Sequence, residues 1–246
     1  MTSTPGVTRP ALLADTVLLV SGGSQGVGAG IVRAAVREGA QVAFTGRRPD
    51  VGKALETELP GTHFIEADVA QTDSALDSVA ETISHFGRVD ALVNSAGLTS
   101  RGTLLDTTEE LFDQHIAVNL RGPFFTMQAA VKDMRERAVP GSIVNIISTS
   151  ELGGQPYLAP YVAAKAGLAG LTRNAAHAHR WIVSGSTVST SGGHRPRVKT
   201  SRRELFTTLV TTGRNVRAAP SPWASSDRST KSPTSSSSCS PIAAES

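Results

Sequence analysis

The first three quarters of this 246-residue chain predict an α/β fold. One observation is a short apolar run, residues 17–20, that passes through a glycine-rich stretch into a helical pattern at Ile31, Val32, Ala35 and Val36. Another is its repetition: short strand-like runs recur at 41–45, 62–66, 91–93 and 142–147, with helix-length segments between them. Strands alternating with helical patterns read as βαβ units around a parallel sheet.

The stretch after the first strand is Ser21, Gly22, Gly23, Ser24, Gln25, Gly26, Val27 and Gly28. Glycines let the backbone turn tightly and approach a ligand closely. A helix N-terminus offers free N–H groups and a partial positive charge, which suits a pyrophosphate. A glycine turn that only packs strand on helix would look the same in isolation. The strand–turn–helix context and the βα repeat that follows favour dinucleotide binding.

The second strand, 41–45, is followed by Gly46, Arg47 and Arg48. In a dinucleotide fold the end of this strand meets the adenosine ribose. An acid there would bind a 2′-hydroxyl, whereas arginine suits a 2′-phosphate. Gly46 stands where the acid is expected, so the pair favours the phosphorylated cofactor; otherwise both arginines are solvated loop charges.

The third strand, 62–66, leads into Asp68 and Val69, where the carboxylate can accept from an adenine amino group or serve as a turn or cap aspartate. The fourth, 91–93, leads into Asn94, Ser95, Ala96 and Gly97. Asn94 can bridge neighbouring strands, and Gly97 keeps the floor of the cofactor site small. Asn119 interrupts an apolar stretch that reads as helical; a buried amide there needs partners, with a satisfied, helix-kinking amide as the bland alternative.

The fifth strand, 142–147, ends at Ser148, thirteen residues before Tyr161, and Lys165 follows four residues later. On a helix, positions i and i+4 share one face. A lysine charge a few ångströms from a phenol favours the phenolate, and such a tyrosine can exchange a proton with a carbonyl or alcohol oxygen. Ser148 can hydrogen-bond the same oxygen. Alone, a Tyr-x-x-x-Lys pair is common on solvated helices; its meaning comes from the motifs upstream.

Taken together, the 21–28 turn, Asp68-Val69, Asn94-Ser95-Ala96-Gly97, Asn119, Ser148 and Tyr161-x-x-x-Lys165 resemble the short-chain dehydrogenase/reductase family over residues 14 to about 181. The resemblance implies one Rossmann-like, doubly wound parallel sheet with helices on both faces. It implies hydride transfer between a nicotinamide and a carbonyl/alcohol pair on a small molecule, with NADP(H) favoured over NAD(H) by Arg47. Tyr161 would be the acid/base, and Lys165 would favour its phenolate and hold the nicotinamide ribose. Ser148 would orient the substrate oxygen, and Asn119 would hold a proton-relaying water. No metal is implied; a homo-oligomer is. Ser21 replaces a usual threonine, Ser95 a common asparagine and Glu151 a frequent glycine; Glu151 lines the expected substrate side. Pro160 agrees with a helix starting there.

The remainder of the chain sets bounds. No twenty-residue apolar run suggests a membrane span, no secretion signal is visible at the N-terminus, and the single cysteine, Cys239, excludes an internal disulfide. These features suit a cytoplasmic enzyme, with residues 1–13 an N-terminal arm. The net charge of +3 hides a split: residues 1–181 hold 15 Lys+Arg against 18 Asp+Glu, and residues 182–246 hold 9 against 3. That last segment also carries 16 serines and 9 threonines, a composition that reads as disordered. Nucleic-acid binding by this basic tail is disfavoured, because only Phe206 and Trp223 interleave with its charges.

The change of character comes right after Trp181. Codons can be chosen for residues 182–238 that, one nucleotide out of phase, encode a strand, a Pro-Gly loop, a lid region and a helix like those the family carries there. The tail therefore reads as out-of-frame sequence, from a one-nucleotide loss near codon 182 and a compensating change near codon 239. On this reading no sixth strand, lid or last strand forms. The alternatives to an active oxidoreductase are then an impaired or misfolded member of the same family, or an interaction protein using its basic tail.

Overall fold

The computed structural model describes residues 11–179 and the backbone of 183–189. Six strands form one parallel sheet: β1 (Val17–Ser21), β2 (Gln41–Gly46), β3 (His63–Glu66), β4 (Ala91–Asn94), β5 (Gly141–Ile147) and β6 (Val183–Ser189), in the order β3-β2-β1-β4-β5-β6. The connecting helices are α1 (Gly26–Arg37), α2 (Pro49–Glu58), α3 (Thr72–Phe86), α4 (Glu109–Ile116), α5 (Gly122–Glu136), α6 (Ser150–Gly153) and α7 (Ala159–Ala178). This is the doubly wound α/β architecture expected from the sequence.

Successive strand residues face opposite sides of the sheet. Leu18, Val20, Val42 and Phe44 pack with Ile31, Val32 and Ala35 of α1 and Leu55 of α2. Leu19, Ala43, Ile65, Leu92 and Ile143 pack on the other side with Val79 of α3 and Met127, Ala130 and Met134 of α5. Burial on both faces explains why these strands read as unbroken apolar runs rather than alternating ones. Strand order reverses between β1 and β4, so the connections leaving them diverge. That opens a crevice at the carboxyl ends of the strands, where ligands bind in such sheets.

Two expectations change. The helical stretch at Asn119 contains a π-helical turn, Ala117–Arg121, between α4 and α5. The expected absence of a sixth strand is corrected by β6, which pairs with β5 from Gly141↔Val183 to Ile147↔Ser189. The outer edge of β5 would otherwise present a row of unpaired N–H and C=O groups, and backbone pairing tolerates a serine-rich sequence. The expected lid, last strand and out-of-frame reading beyond 189 lie outside the described residues.

Candidate active site

The glycine turn closes over the crevice. Gly22 (φ 72°) hydrogen-bonds through its N–H to Thr45 Oγ1 at 3.0 Å, and a Cβ on it would stand 2.5 Å from Ala96 Cα. A Cβ on Gly28 would stand 2.0 Å from the Gly22 carbonyl oxygen. Both positions must be glycine for α1 to lie against the ends of β1 and β4. Gly26 (φ 57°), the first residue of α1, is different: a Cβ there would meet nothing within 4 Å. Gln25, the cap residue, makes no side-chain cap, and the first turn of α1 has no acid. The helix thus presents uncapped N–H groups to an open cradle, which fits a dinucleotide pyrophosphate. Ser21 and Ser24 are buried beside it, and Val27 is exposed.

At the end of β2, a Cβ on Gly46 would lie 2.2 Å from Ser24 Oγ. A side chain at this position would have to displace Ser24. Arg47 and Arg48 are exposed, and Arg48 donates to the Gln25 side chain, spanning from the start of α2 to the glycine turn. Asp68 Oδ1 accepts from Ala70 N–H at 3.0 Å, and its own N–H donates to Ser74 Oγ. This is the turn-aspartate geometry, with the other carboxylate oxygen left over. Val69 is buried, its carbonyl close against Gly122.

Asn94 does bridge strands. Its amide donates to Asn145 Oδ1 at 2.8 Å and accepts from Thr126 Oγ1 at 2.7 Å, while Asn145 donates on to Thr172 Oγ1 at 2.8 Å. This buried network ties β4, β5, α5 and α7 together and commits the Asn94 amide to the sheet. A Cβ on Gly97 would make only ordinary contact, 3.5 Å, with Asn119 Oδ1, so the protein itself does not fill that floor.

Ser148 follows β5, and Tyr161 and Lys165 lie in the first two turns of α7. All three are buried. The Lys165 ammonium lies 5.9 Å from the Tyr161 ring centroid and donates to the Ile146 carbonyl at 2.7 Å, which leaves two N–H bonds for other partners. Burial pushes the Lys165 amine down to about 8. Ser148 Oγ accepts from Ser150 Oγ at 2.8 Å and from Ser150 N–H at 3.3 Å. With Ser150 as the donor of this pair, the Ser148 hydroxyl proton is available to a substrate oxygen, the role an oxyanion-stabilising serine needs.

Asn119 is fully buried. Its Oδ1 accepts from Leu98 N–H and its Nδ2 donates to the Leu98 carbonyl, both at 3.0 Å, with His115 Nδ1 3.2 Å from Nδ2. These bonds leave the second lone pair of Oδ1 uncommitted, and the residue is set in a π-turn of the kind frequent at functional sites. Two residues escaped the sequence reading, His115 and Ser150. The spacing of His115, four before Asn119 on one helix face, was the available signal.

No helix among the described residues is long and apolar enough to cross a membrane. The short chain dehydrogenase family model matches residues 16–188. L-rhamnose 1-dehydrogenase (NAD(P)(+)) of Azotobacter vinelandii is 34% identical over 82% of this chain and 85% of its own. L-fucose dehydrogenase of Bos taurus is 38% identical over 65% of this chain; only 59% of that relative's length is spanned. A solved structure from Sinorhizobium meliloti 1021, assigned to the short-chain alcohol dehydrogenases, aligns with a TM-score of 0.68 at 31% identity over 73% of each chain. The match of the family model and of relatives over most of the chain, on a doubly wound parallel sheet, makes this protein a member of the short-chain dehydrogenase family.

Proposed function

We propose that this chain is an NADP(H)-preferring oxidoreductase acting on a carbonyl/alcohol pair of a small sugar. The observation that supports the reading is the pairing on α7 of Tyr161 with Lys165, whose ammonium lies 5.9 Å from the ring centroid and is held by the Ile146 carbonyl, two residues before Ser148, all three side chains being buried. The names of the relatives, an L-fucose and an L-rhamnose dehydrogenase, support the sugar. The absence of an acid at Gly46, where a side chain would crowd Ser24, and the presence of Arg47 support the 2′-phosphate.

The uncapped start of α1, with Ser24 and Gly26, holds the pyrophosphate; Arg47 holds the 2′-phosphate; Lys165 holds the nicotinamide ribose through its two remaining N–H bonds. The nicotinamide, when bound, accepts or donates the hydride. Ser148 donates a hydrogen bond to the substrate oxygen and fixes it beside Tyr161. In the oxidation direction, Tyr161 takes the hydroxyl proton as the carbonyl forms; in reduction it gives that proton back. The Lys165 ammonium stabilises the negative charge that appears on the phenol oxygen. Asn119 offers the second lone pair of Oδ1 to a water between Lys165 and solvent.

Tyr161→Phe tests this reading. It keeps the ring and removes the transferable proton, and general acid–base catalysis contributes about 10²–10⁴-fold. Turnover of L-rhamnose or L-fucose with NADP⁺ should fall on that scale while dinucleotide binding persists. Unchanged turnover would remove Tyr161 from the chemistry.

A further inference from the structure

Asn119, His115 and the segment from Leu98 to Gly102 form one hydrogen-bonded unit beside Tyr161. The segment leaves the crevice floor after Gly97. It is held at Leu98 by both ends of the Asn119 amide, at the Ser100 carbonyl by His115 Nε2 at 3.1 Å, and at Gly102 by main-chain bonds to Tyr157 and Ala159. Gly102 therefore joins the strap to the first turn of α7, two residues before Tyr161. The His115 ring itself meets the Tyr161 ring edge-on, with centroids 6.2 Å apart.

The hydrogen bonds determine which His115 nitrogen carries the proton. Leu98 sets the sense of the Asn119 amide, because a flipped amide would bring oxygen to carbonyl oxygen and N–H to N–H. With that sense, Nδ2–H points at His115 Nδ1, so Nδ1 must be an acceptor. The proton then sits on Nε2 and is donated to the Ser100 carbonyl. A charged imidazolium would set a second donor against the Asn119 amine. Burial, which pushes the ring below its ordinary value, works in the same direction, with Ser100 opposing it.

We propose that His115, as the neutral Nε2–H tautomer, is a positioning residue that locks the Asn119 amide and anchors the 98–102 strap against the helix carrying Tyr161. His115 touches neither substrate nor cofactor in this role. It acts through Asn119 and the strap, and so affects the alignment of Tyr161 with the crevice floor more than the affinity of the glycine cradle. The inference rests on the dehydrogenase reading for its effect on turnover, but not for its hydrogen bonds.

Two variants of the full chain separate positioning from volume filling. His115→Phe keeps an aromatic edge toward Tyr161 but has neither donor nor acceptor. His115→Gln lacks the ring but offers Nε2–H to Ser100 and Oε1 to the Asn119 amine. Misplacement of a catalytic group by about 1 Å costs up to roughly 10²-fold. Turnover of L-rhamnose with NADP⁺ in the Phe variant should therefore fall about 10- to 100-fold, with the dinucleotide dissociation constant changed less than about threefold. The Gln variant should recover most of the loss. A space-filling role gives the reverse order, the apolar Phe matching or exceeding Gln, and that order overturns the proposal.

Readouts independent of activity are the ring ¹⁵N spectrum and the exchange rate of the Leu98 amide. The parent should show a neutral ring protonated on Nε2 at pH 7, and a protected Leu98 amide that opens in Phe and stays protected in Gln. An Nδ1–H or charged ring, or a Leu98 amide indifferent to both variants, overturns the assignment. A parent with the expected ring and no turnover supports the hydrogen-bond unit and counts against the dehydrogenase reading instead.

Discussion

Replacing Lys165 by Met should cost activity and add stability, and both effects follow from the same buried charge. The ammonium is 5.9 Å from the Tyr161 ring centroid. With the ring centroid standing in for the centre of the delocalised phenolate charge, two unit charges about 6 Å apart in an effective dielectric near 20 interact by about 3 kcal/mol. Loss of this attraction for the charge developing on the phenol oxygen corresponds to about a 100-fold fall in turnover. The stability change has the opposite sign. Burial lowers the amine to about 8 in the folded chain; in the unfolded chain it returns to about 10.4. Below pH 8 the amine is charged in both states, and the folded state carries roughly 3 kcal/mol of desolvation. Methionine removes that cost but leaves the Ile146 carbonyl without its donor, worth about 1 kcal/mol. The variant should thus be about 2 kcal/mol more stable than the parent at pH 7. Between about pH 8 and 10.4 the unfolded parent binds the extra proton, so the parent gains stability with rising pH and the advantage of the variant disappears. Turnover at pH 7 and urea unfolding at pH 7 and pH 10 measure both. A variant within threefold of parental turnover, or one less stable than the parent at pH 7, refutes the reasoning.

Arg47→Ala should weaken NADPH binding by about 1.5–3 kcal/mol, the worth of a charge-assisted contact, and NADH binding much less. Titration of each cofactor against parent and variant decides it, and equal losses would make Arg47 a solvated loop charge. Exchanging residues 182–238 for the alternate-frame segment should raise the unfolding temperature and NADPH affinity together. No gain in either would dismiss the out-of-frame reading of the tail.

Much of this protein is legible in its sequence because the signals are local. The strands β1 to β5 are short runs buried on both faces, so each reads as continuous apolar sequence wherever it sits. The turn from Ser21 to Gly28 announces itself by glycines that need positive φ or close approach, as at Gly22 and Gly28. The spacing of Tyr161 and Lys165 is a property of any helix. Other features depend on contacts between residues far apart in the chain, and no local pattern encodes them. Gly46 reads as a missing acid, yet only the fold shows its close approach to Ser24, which any side chain there would have to displace. Asn94 becomes a strand bridge because Asn145 and Thr126, 51 and 32 residues away, meet its amide in the sheet. Ser148 acquires its hydrogen-bonding partner because the helix that follows brings the Ser150 hydroxyl and N–H to its Oγ. The protonation of His115 follows from the sense of one amide, which the main chain of Leu98 fixes. The β6 pairing follows from the open edge of β5 rather than from the serine-rich sequence that fills it. Periodicity and side-chain type determine where strands, turns and reactive groups lie along the chain. Their hydrogen-bonding partners, and so their donor and acceptor roles, are decided only when the fold brings distant segments within about 3 Å.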